Sequence, residues 1–397
     1  MLANALEETK AESASAIVVD PATGEILALA NAPTFDPSTR YNSSASESFA
    51  RRNRAIMDAY EPGSVFKVVT YSAALEEGVV SPEDKIFCGN GQITLGSRVI
   101  HDSHPLGELT IREAFAKSSN VAAIKVSMKL GKDKFSEYVS RFGFGQKTNI
   151  ELPAETAGIV HSLKDNEKTG KPASLSRMAS MAMGHEVGVT AIQAVSALAA
   201  IANKGTWIQP HLVRKIVSGD AGQRVLWESR PQKRTVVSPE TAEKIRSMLV
   251  GVVEEGTGKR ARLADYDVAG KTGTAQKIIG GKYSQSAYIA SFAGFVPASN
   301  PRYAIIVVLD NPRGAHQGGQ VAAPVFNEIA SAALIDNGVL PDSEAYRSSL
   351  AKLREKAQEK TQSNSVARPA ATPMPSPTAN VRRGPSLRPL RKSVEES

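Results

Sequence analysis

The sequence predicts an α+β fold, an antiparallel sheet flanked by helices. Three features point there: strand-like segments sit near both ends of the first 340 residues, helix-like segments fill the stretch between, and neighbouring strands are joined by hairpin-sized turns. A doubly wound α/β chain would instead alternate strand and helix along its length.

The elements follow in chain order. Residues 16–20 are rich in β-branched side chains, Pro21-Ala22-Thr23-Gly24 is a turn, and residues 25–31 return as a second strand, giving a hairpin. Across residues 64–77 the apolar positions Val65, Val68, Val69, Ala73 and Leu75 suit a helix, with Pro62 and Gly63 as breakers before it and Gly78 closing it. Thr110 and Glu113 form a capping-box pair at the head of a helix carrying Ile111, Ala114 and Phe115. Residues 121–130 form a second helical segment before Gly131, and the polar Ser118-Ser119-Asn120 interrupts the two. Thr190 caps residues 191–203, and Ser238-Pro239 opens 240–255 before Gly256. Strands return at 268–276, 288–296 and 303–310, the last two joined through residues 297–301, and a helix over about 321–334 completes the pattern.

At roughly 150 residues per domain, 397 residues would make two or three domains, but the elements above read as a single unit. The expected organisation is a linker remnant over 1–13, one domain over 14–337, and a charged, Pro/Arg-rich tail over 338–397 that is largely disordered. Residues 363–397 hold six prolines, five arginines and no aromatic residue, too little apolar surface to offset chain entropy, while 342–360 suit a solvated helix. With 41% apolar and 22% charged residues the body is ordinary for a globular protein. The formal charge of +8 is uneven: residues 351–397 carry +6 and residues 1–350 only +2. The basic balance is therefore no guide to the body's ligand, and the tail lacks the interleaved aromatics of a nucleic-acid binder. A single cysteine, Cys88, excludes an intrachain disulfide and a cysteine-ligated metal site. No run of about 18 apolar residues occurs, and residues 1–12 have neither the basic start nor the apolar core of a secretory signal.

Ser64-Val65-Phe66-Lys67 places a hydroxyl and an amine at i and i+3 on a helix, about 5–6 Å apart at Cβ. A serine nucleophile needs a base within reach, and lysine serves when burial or a nearby cation lowers its pKa. The helix start also aims free N–H groups at a developing oxyanion. Alone the pattern is weak, because Ser349-Leu350-Ala351-Lys352 repeats it in the charged C-terminal stretch. Its company raises its value: Ser118 and Asn120 offer a hydroxyl and an amide for proton relay and carbonyl binding, and Lys271-Thr272-Gly273-Thr274 offers a cation, hydroxyls and a close-approach glycine on a strand. Lys168-Thr169-Gly170 repeats part of the latter in a polar loop and reads as a solvated turn.

Ser-x-x-Lys, Ser-x-Asn and Lys-Thr-Gly in this order are the signature of penicillin-interacting serine enzymes. The surrounding sequence resembles the transpeptidase domain of class B penicillin-binding proteins, in Asn53-Arg54-Ala55, Tyr60-Glu61-Pro62-Gly63-Ser64-Val65-Phe66-Lys67, Arg141-Phe142-Gly143-Phe144-Gly145 and Gly188-Val189-Thr190-Ala191-Ile192-Gln193. Further matching stretches are Ala202-Asn203-Lys204-Gly205, Ala269-Gly270-Lys271-Thr272-Gly273-Thr274-Ala275-Gln276 and Ser291-Phe292-Ala293-Gly294-Phe295-Val296-Pro297, so the likeness runs from about residue 14 to 335. It implies the penicillin-binding-protein/β-lactamase-like fold and a D,D-transpeptidase that cross-links peptidoglycan stem peptides in division or elongation. In that role Ser64 attacks, Lys67 takes its proton, Ser118 passes a proton to the leaving amine, and Asn120 binds the donor's amide. Lys271, Thr272 and Thr274 address the terminal carboxylate, Gly273 lets the strand come close, and the N–H groups of Ser64 and Thr274 form the oxyanion hole. The resemblance further implies β-lactam antibiotics as covalent inhibitors, no metal or organic cofactor, and a cell-wall synthesis complex that includes a glycosyltransferase. It places the protein on the extracytoplasmic face of the bacterial inner membrane, in the periplasm, with an anchoring segment and a pedestal module expected upstream. Val65 departs from the small or polar residue usual after the nucleophile.

A D,D-carboxypeptidase or β-lactamase of the same fold would need a positioned water to deacylate Ser64, and a non-catalytic β-lactam sensor would have no need of intact Ser64, Lys67 and Lys271. A phosphate-binding loop ending at Lys271-Thr272 fails because Asp265 stands where glycine is required, and a zinc motif at His185-Glu186 fails because position 189 is valine. His101, Asp102 and His104 read as a structural polar group in a loop, and Cys88 as a small packed residue.

Overall fold

The computed structural model of the chain describes residues 1–41, 44–163, 175–220, 223–343 and 346–352. Helix α1 (Leu2–Thr9) leads into the hairpin of β1 (Ser13–Val19) and β2 (Ile26–Ala32), as the turn over residues 21–24 predicts. A helical insertion follows: α2 (Ala45–Arg51), α3 (Arg54–Met57), a 3-10 turn over Gly63–Phe66, α4 (Lys67–Glu76), α5 (Ile111–Ala116), α6 (Asn120–Leu130), α7 (Lys132–Arg141), α8 (Leu175–Ala182), α9 (Ala191–Ala202) and α10 (Pro239–Glu254). Between these lie short antiparallel pairs: β3 (Lys85–Phe87) with β6 (Glu108–Thr110), β4 (Gln92–Leu95) with β5 (Arg98–His101), and β7 (Ile159–Val160) with β8 (Val187–Gly188). Two more join β9 (Thr206–Ile208) to β12 (Lys233–Thr235) and β10 (Lys215–Val217) to β11 (Val225–Glu228). The chain then returns as β13 (Ala269–Ile279), β14 (Lys282–Val296), β15 (Tyr303–Asp310) and α11 (Gly318–Asp336).

The central sheet has the order β13-β14-β15-β1-β2 and is antiparallel throughout. Pairing of Ser13 with Asp310 through Val19 with Ala304 closes a loop of nearly 300 residues and sets the N-terminal hairpin beside the C-terminal strands. All seven residues of β1 are buried because both faces of the sheet are covered, which produces the continuous apolar runs in β1 and β15 rather than a half-exposed alternation. Ala14, Ala16 and Val18 face one core with Ile305, Val307, Phe292 and the α11 residues Phe326 and Leu334. Ile17 and Val19 face the other, built with Ile306, Phe295, α4, α6, α9 and α10. Eleven of the twelve α9 residues are buried, so this helix is the middle of the second core.

Helix starts carry the chemistry that marked them in the sequence. Thr110 and Thr190 each close a full capping box, with Glu113 and Gln193, and Ser238 caps α10 by accepting from Thr241 N at 3.2 Å with Pro239 at the first helical position. Three differences have local reasons. Ser64 lies in a 3-10 turn and α4 proper begins at Lys67, because Pro62 and Gly63 set a tighter entry. Residues 1–13, expected as a linker remnant, hold α1, whose Ala5 is buried against the α11 core. Residues 338–343, assigned to the tail, dock on the body: Tyr266 donates to Val339 O at 2.6 Å, and Asp342 accepts from Asp267 N at 3.0 Å. Residues 346–352 are helical, and the rest of the expected tail lies outside the described residues. Among the described residues no helix is long and apolar enough to cross a membrane.

Phe292 and Phe326 join the sheet to α11 edge-on, with ring centroids 4.7 Å apart and no exposure of either ring. Truncating Phe326→Ala leaves a cavity that neighbouring side chains fill only in part, and the expected loss is about 3–5 kcal/mol in urea-induced unfolding. A loss below about 1 kcal/mol would contradict this packing.

Candidate active site

The turn that carries Ser64 is held by backbone contacts that only glycine permits. Gly63 has φ +51° and donates its N–H to Gly184 O at 3.1 Å. A Cβ on Gly63 would stand 2.6 Å from Thr274 O, one on Gly184 2.0 Å from Gly63 O, and one on Gly273 2.6 Å from Pro62 O. Main chain therefore lies on main chain, and the peptide of Thr274 is pressed against the residue preceding Ser64. Ser64 itself is half-buried, one helical turn before Lys67.

The break between α5 and α6 supplies the facing wall. Ser118 takes a left-handed backbone (φ 59°), which turns the chain so that Ser119 caps α6, accepting from Ala122 N at 3.0 Å. Behind this turn Asp102 accepts from Ser119 Oγ at 2.8 Å, from Val121 N at 3.1 Å and from Asn120 N. Asn120 is oriented from the same loop, its Nδ2 donating to His101 O at 2.9 Å and leaving Oδ1 turned towards Lys67. Asp102 thus has the structural role assigned to its loop from sequence, one layer behind the chemistry.

Two lysines meet on this wall. Lys67 Nζ donates to Ser118 O at 2.6 Å, Asn120 Oδ1 at 2.8 Å and Ser118 Oγ at 3.3 Å, while Lys271 Nζ donates to the same Ser118 Oγ at 2.9 Å. Neither lysine has solvent exposure. Burial draws Lys67 down from 10.5 to about 7, opposed by the Asp102 carboxylate, which favours its charged form. Lys271 is held well below its ordinary value by burial and then by repulsion from Lys67. Ser118 Oγ accepts from both amines, so its own proton is free to be given elsewhere.

On β13 the remaining predicted residues divide. Thr274 Oγ1 accepts from Gly318 N, the first residue of α11, at 3.0 Å, and Gly273 gives the close approach already described. Thr272 is 7% exposed, with its hydroxyl 2.7 Å from Thr257 Oγ1. The structure thus joins Lys67, Ser118, Asn120 and Lys271 by hydrogen bonds and sets Ser64, Gly273 and Thr274 beside them through the glycine contacts. The repeated motif at Ser349 and Lys352 is exposed on a short helix, and Lys168-Thr169-Gly170 lies outside the described residues. Among the described residues no group of three or more His, Cys, Asp or Glu side chains is placed to hold a metal. Gly184, Gly318 and Thr257 were missed in the sequence because each acts only through contacts with a distant segment.

Residues 14–331 match the family described as the penicillin binding protein transpeptidase domain. The chain is 39% identical to stage V sporulation protein D of Bacillus subtilis, over 82% of this chain and 50% of that protein. It is 32% identical to the probable peptidoglycan D,D-transpeptidase PenA of Neisseria flavescens, over 84% of this chain and 78% of that protein. Penicillin-binding protein 3 of Mycobacterium tuberculosis, solved in complex with ampicillin, superposes with a TM-score of 0.77 at 34% identity, covering 86% of this chain and 76% of that one. The chain spans about half the length of the first curated relatives it matches.

A lysine that titrates at about 7 in the fold and at 10.5 ordinarily leaves the unfolded chain holding more protons between those values, so stability rises with pH across that window. The wild type should therefore gain stability relative to Lys67→Met between pH 7 and 9.5 in urea unfolding. Parallel stabilities for the two proteins would mean that Lys67 is charged in the fold.

Proposed function

Because the chain belongs to the class B penicillin-binding protein transpeptidase family, we propose that it is a serine D,D-transpeptidase that cross-links peptidoglycan stem peptides through an acyl-enzyme on Ser64. The observation that carries this reading is the Ser118 hydroxyl held between two buried amines, one of them drawn to about 7 and a single helical turn from Ser64. A base for a serine hydroxyl must be largely neutral near the working pH, and desolvation brings Lys67 there.

In this reading Lys67 Nζ takes the Ser64 proton as Oγ attacks the carbonyl between the two terminal D-alanines. The N–H groups of Ser64 and Thr274 hold the oxyanion, and the Gly63–Thr274 contact keeps these two peptides together. The tetrahedral centre collapses as the C–N bond breaks, and the proton passes through Ser118 Oγ to the leaving D-alanine nitrogen. Asn120 holds the donor amide, while Lys271 and Thr274, with Thr272 beside Thr257, address the terminal carboxylate. An amine of a neighbouring strand then attacks the ester on Ser64, gives its proton back along the same path and forms the cross-link. A β-lactam enters as the donor does, but its ring-opened leaving group stays attached and Ser64 remains acylated.

The name of the Neisseria relative and the ampicillin complex of the mycobacterial one support this assignment. We take residues 14–337 as the catalytic unit, acting outside the cytoplasmic membrane on strands polymerised by a glycosyltransferase.

Intact-mass measurement after incubation with benzylpenicillin should show one adduct on the wild type and none on Ser64→Ala. An undiminished adduct on the variant would remove Ser64 as nucleophile, and an adduct turned over within seconds would identify a β-lactamase instead. The acylation rate should fall as pH drops below about 7, where Lys67 becomes protonated. Asp102→Asn keeps an acceptor but removes the charge that favours protonated Lys67, so this acid limb should move to lower pH. A limb that stays in place would show that Asp102 acts only as a cap.

A further inference from the structure

Strand pair β10–β11 stands apart from both cores. Every residue of the two strands is exposed, and neither strand has a ladder partner beyond the other. The root of the pair is fixed. His211 donates to Gly24 O at 3.0 Å and its carbonyl accepts from Ile26 N at 2.8 Å, while Leu212 N donates to Glu151 Oε2 at 2.9 Å. The ribbon therefore leaves the body at the β2 end of the central sheet, whereas Lys271 and Thr274 lie on β13 at the other end.

The composition of the ribbon is that of a covered element. Ile216 faces Trp227 across the ladder and Val217 faces Val225, with Leu226 as the extra residue where the register shifts. Adjacent pairs point to opposite faces, so both faces carry large apolar side chains. Trp227 is 45% and Leu226 57% exposed, and seven large apolar side chains between Leu212 and Trp227 are left to water. An isolated two-stranded hairpin is marginal in water, and a further strand is what such a ribbon lacks.

Charge chooses among the occupants. Residues 212–233 carry five cationic side chains, Arg214, Lys215, Arg224, Arg230 and Lys233, against two carboxylates, Asp220 and Glu228. None of the five is in an ion pair among the described residues, whereas arginines elsewhere on the surface are paired, Arg112 with Glu83 and Arg246 with Glu243. A second copy of the ribbon would set like charge against like. An anionic bilayer would match the charge but would bury the unpaired N–H and C=O groups of the outer edges without giving them partners. An extended acidic polypeptide meets every demand: its backbone continues the ladder, its alternate side chains lie over the apolar faces, and its carboxylates reach the arginines.

We propose that the β10–β11 ribbon is a docking surface for an acidic, extended segment of another protein, which adds to it as a third strand with Trp227 as the apolar anchor.

The test uses the full chain and three short synthetic peptides: alternating glutamate and valine, alternating lysine and valine, and the glutamate peptide with proline at its centre. Hydrogen exchange reads the amides of residues 215–217 and 225–228, and tryptophan emission reads Trp227, because Trp207 is buried. The glutamate peptide should slow exchange in one of the two strands by about tenfold or more and shift the emission to the blue. The proline peptide keeps the charge but cannot continue a ladder, and the lysine peptide keeps the strand but reverses the charge. Each should bind at least about tenfold more weakly, a comparison that needs no variant to fold. With Arg214→Glu and Arg224→Glu combined, both positions being exposed, the preference should reverse towards the lysine peptide. No protection by the glutamate peptide at about 1 mM, or equal protection by either control peptide, would overturn the proposal. So would a blue shift on phosphatidylglycerol vesicles without one on the peptide, which assigns the ribbon to a membrane surface. A dimer in sedimentation equilibrium that Trp227→Ser dissolves would overturn it in favour of a second copy.

Discussion

Two amines buried around one hydroxyl are the constraint from which the rest of the site follows. Lys67 and Lys271 both reach Ser118 Oγ in a region without solvent, and two full positive charges in so dry a space repel strongly. The pair is therefore held partly unprotonated, and in the proposed reaction one member then acts as the base while the other's charge is restored by an incoming anion. The carboxylate of a donor is such an anion. Binding and activation are thus linked through the same electrostatics, with Asp102 one layer back as the anion that opposes complete deprotonation of Lys67.

That arrangement costs stability, and the fold bears it through the cores on either side. The sheet is covered on one face by α11 and on the other by α4, α6, α9 and α10, so the lysines sit at the seam where the second core meets β13. The seam is narrow because glycines at 63, 184 and 273 bring main chain against main chain. Side chains at 63 or 273 would push β13 away from the Ser64 turn and separate the Ser64 and Thr274 peptides, whose N–H groups form the oxyanion hole in the proposed reaction.

Much of the fold was legible because its elements declare themselves locally. Thr110 with Glu113, Thr190 with Gln193 and Ser238 with Pro239 mark helix starts by side-chain chemistry that acts within four residues, and the β-branched run of β15 has the bounds read from sequence. Helix α7 does not declare itself although Phe135, Tyr138 and Val139 have the right spacing, because its charged residues outweigh them. The strands of two to four residues carry too few side chains to show a period. Sheet order was out of reach, since the pairing of β1 with β15 joins residues nearly 300 apart. The same division holds at the site: the residue types of Ser64, Lys67, Ser118, Asn120 and Lys271 are visible in short motifs. The service of Asp102 to Asn120, and of Gly184 to Gly63, exists only once the chain has folded.

Strand β13 is also one of the two outer strands of the sheet, the other being β2, and an outer strand is where one molecule can pair with the next. Its first half is shut against such pairing by the Ser64 turn lying across it. Its second half departs from regular register between Gln276 and Ile278, and Lys277 stands at that irregularity tied to Asp310. A bent, charged rim is a poor template for another strand. The geometry that keeps an opening beside Ser64 therefore also disfavours growth into β-linked aggregates through this edge.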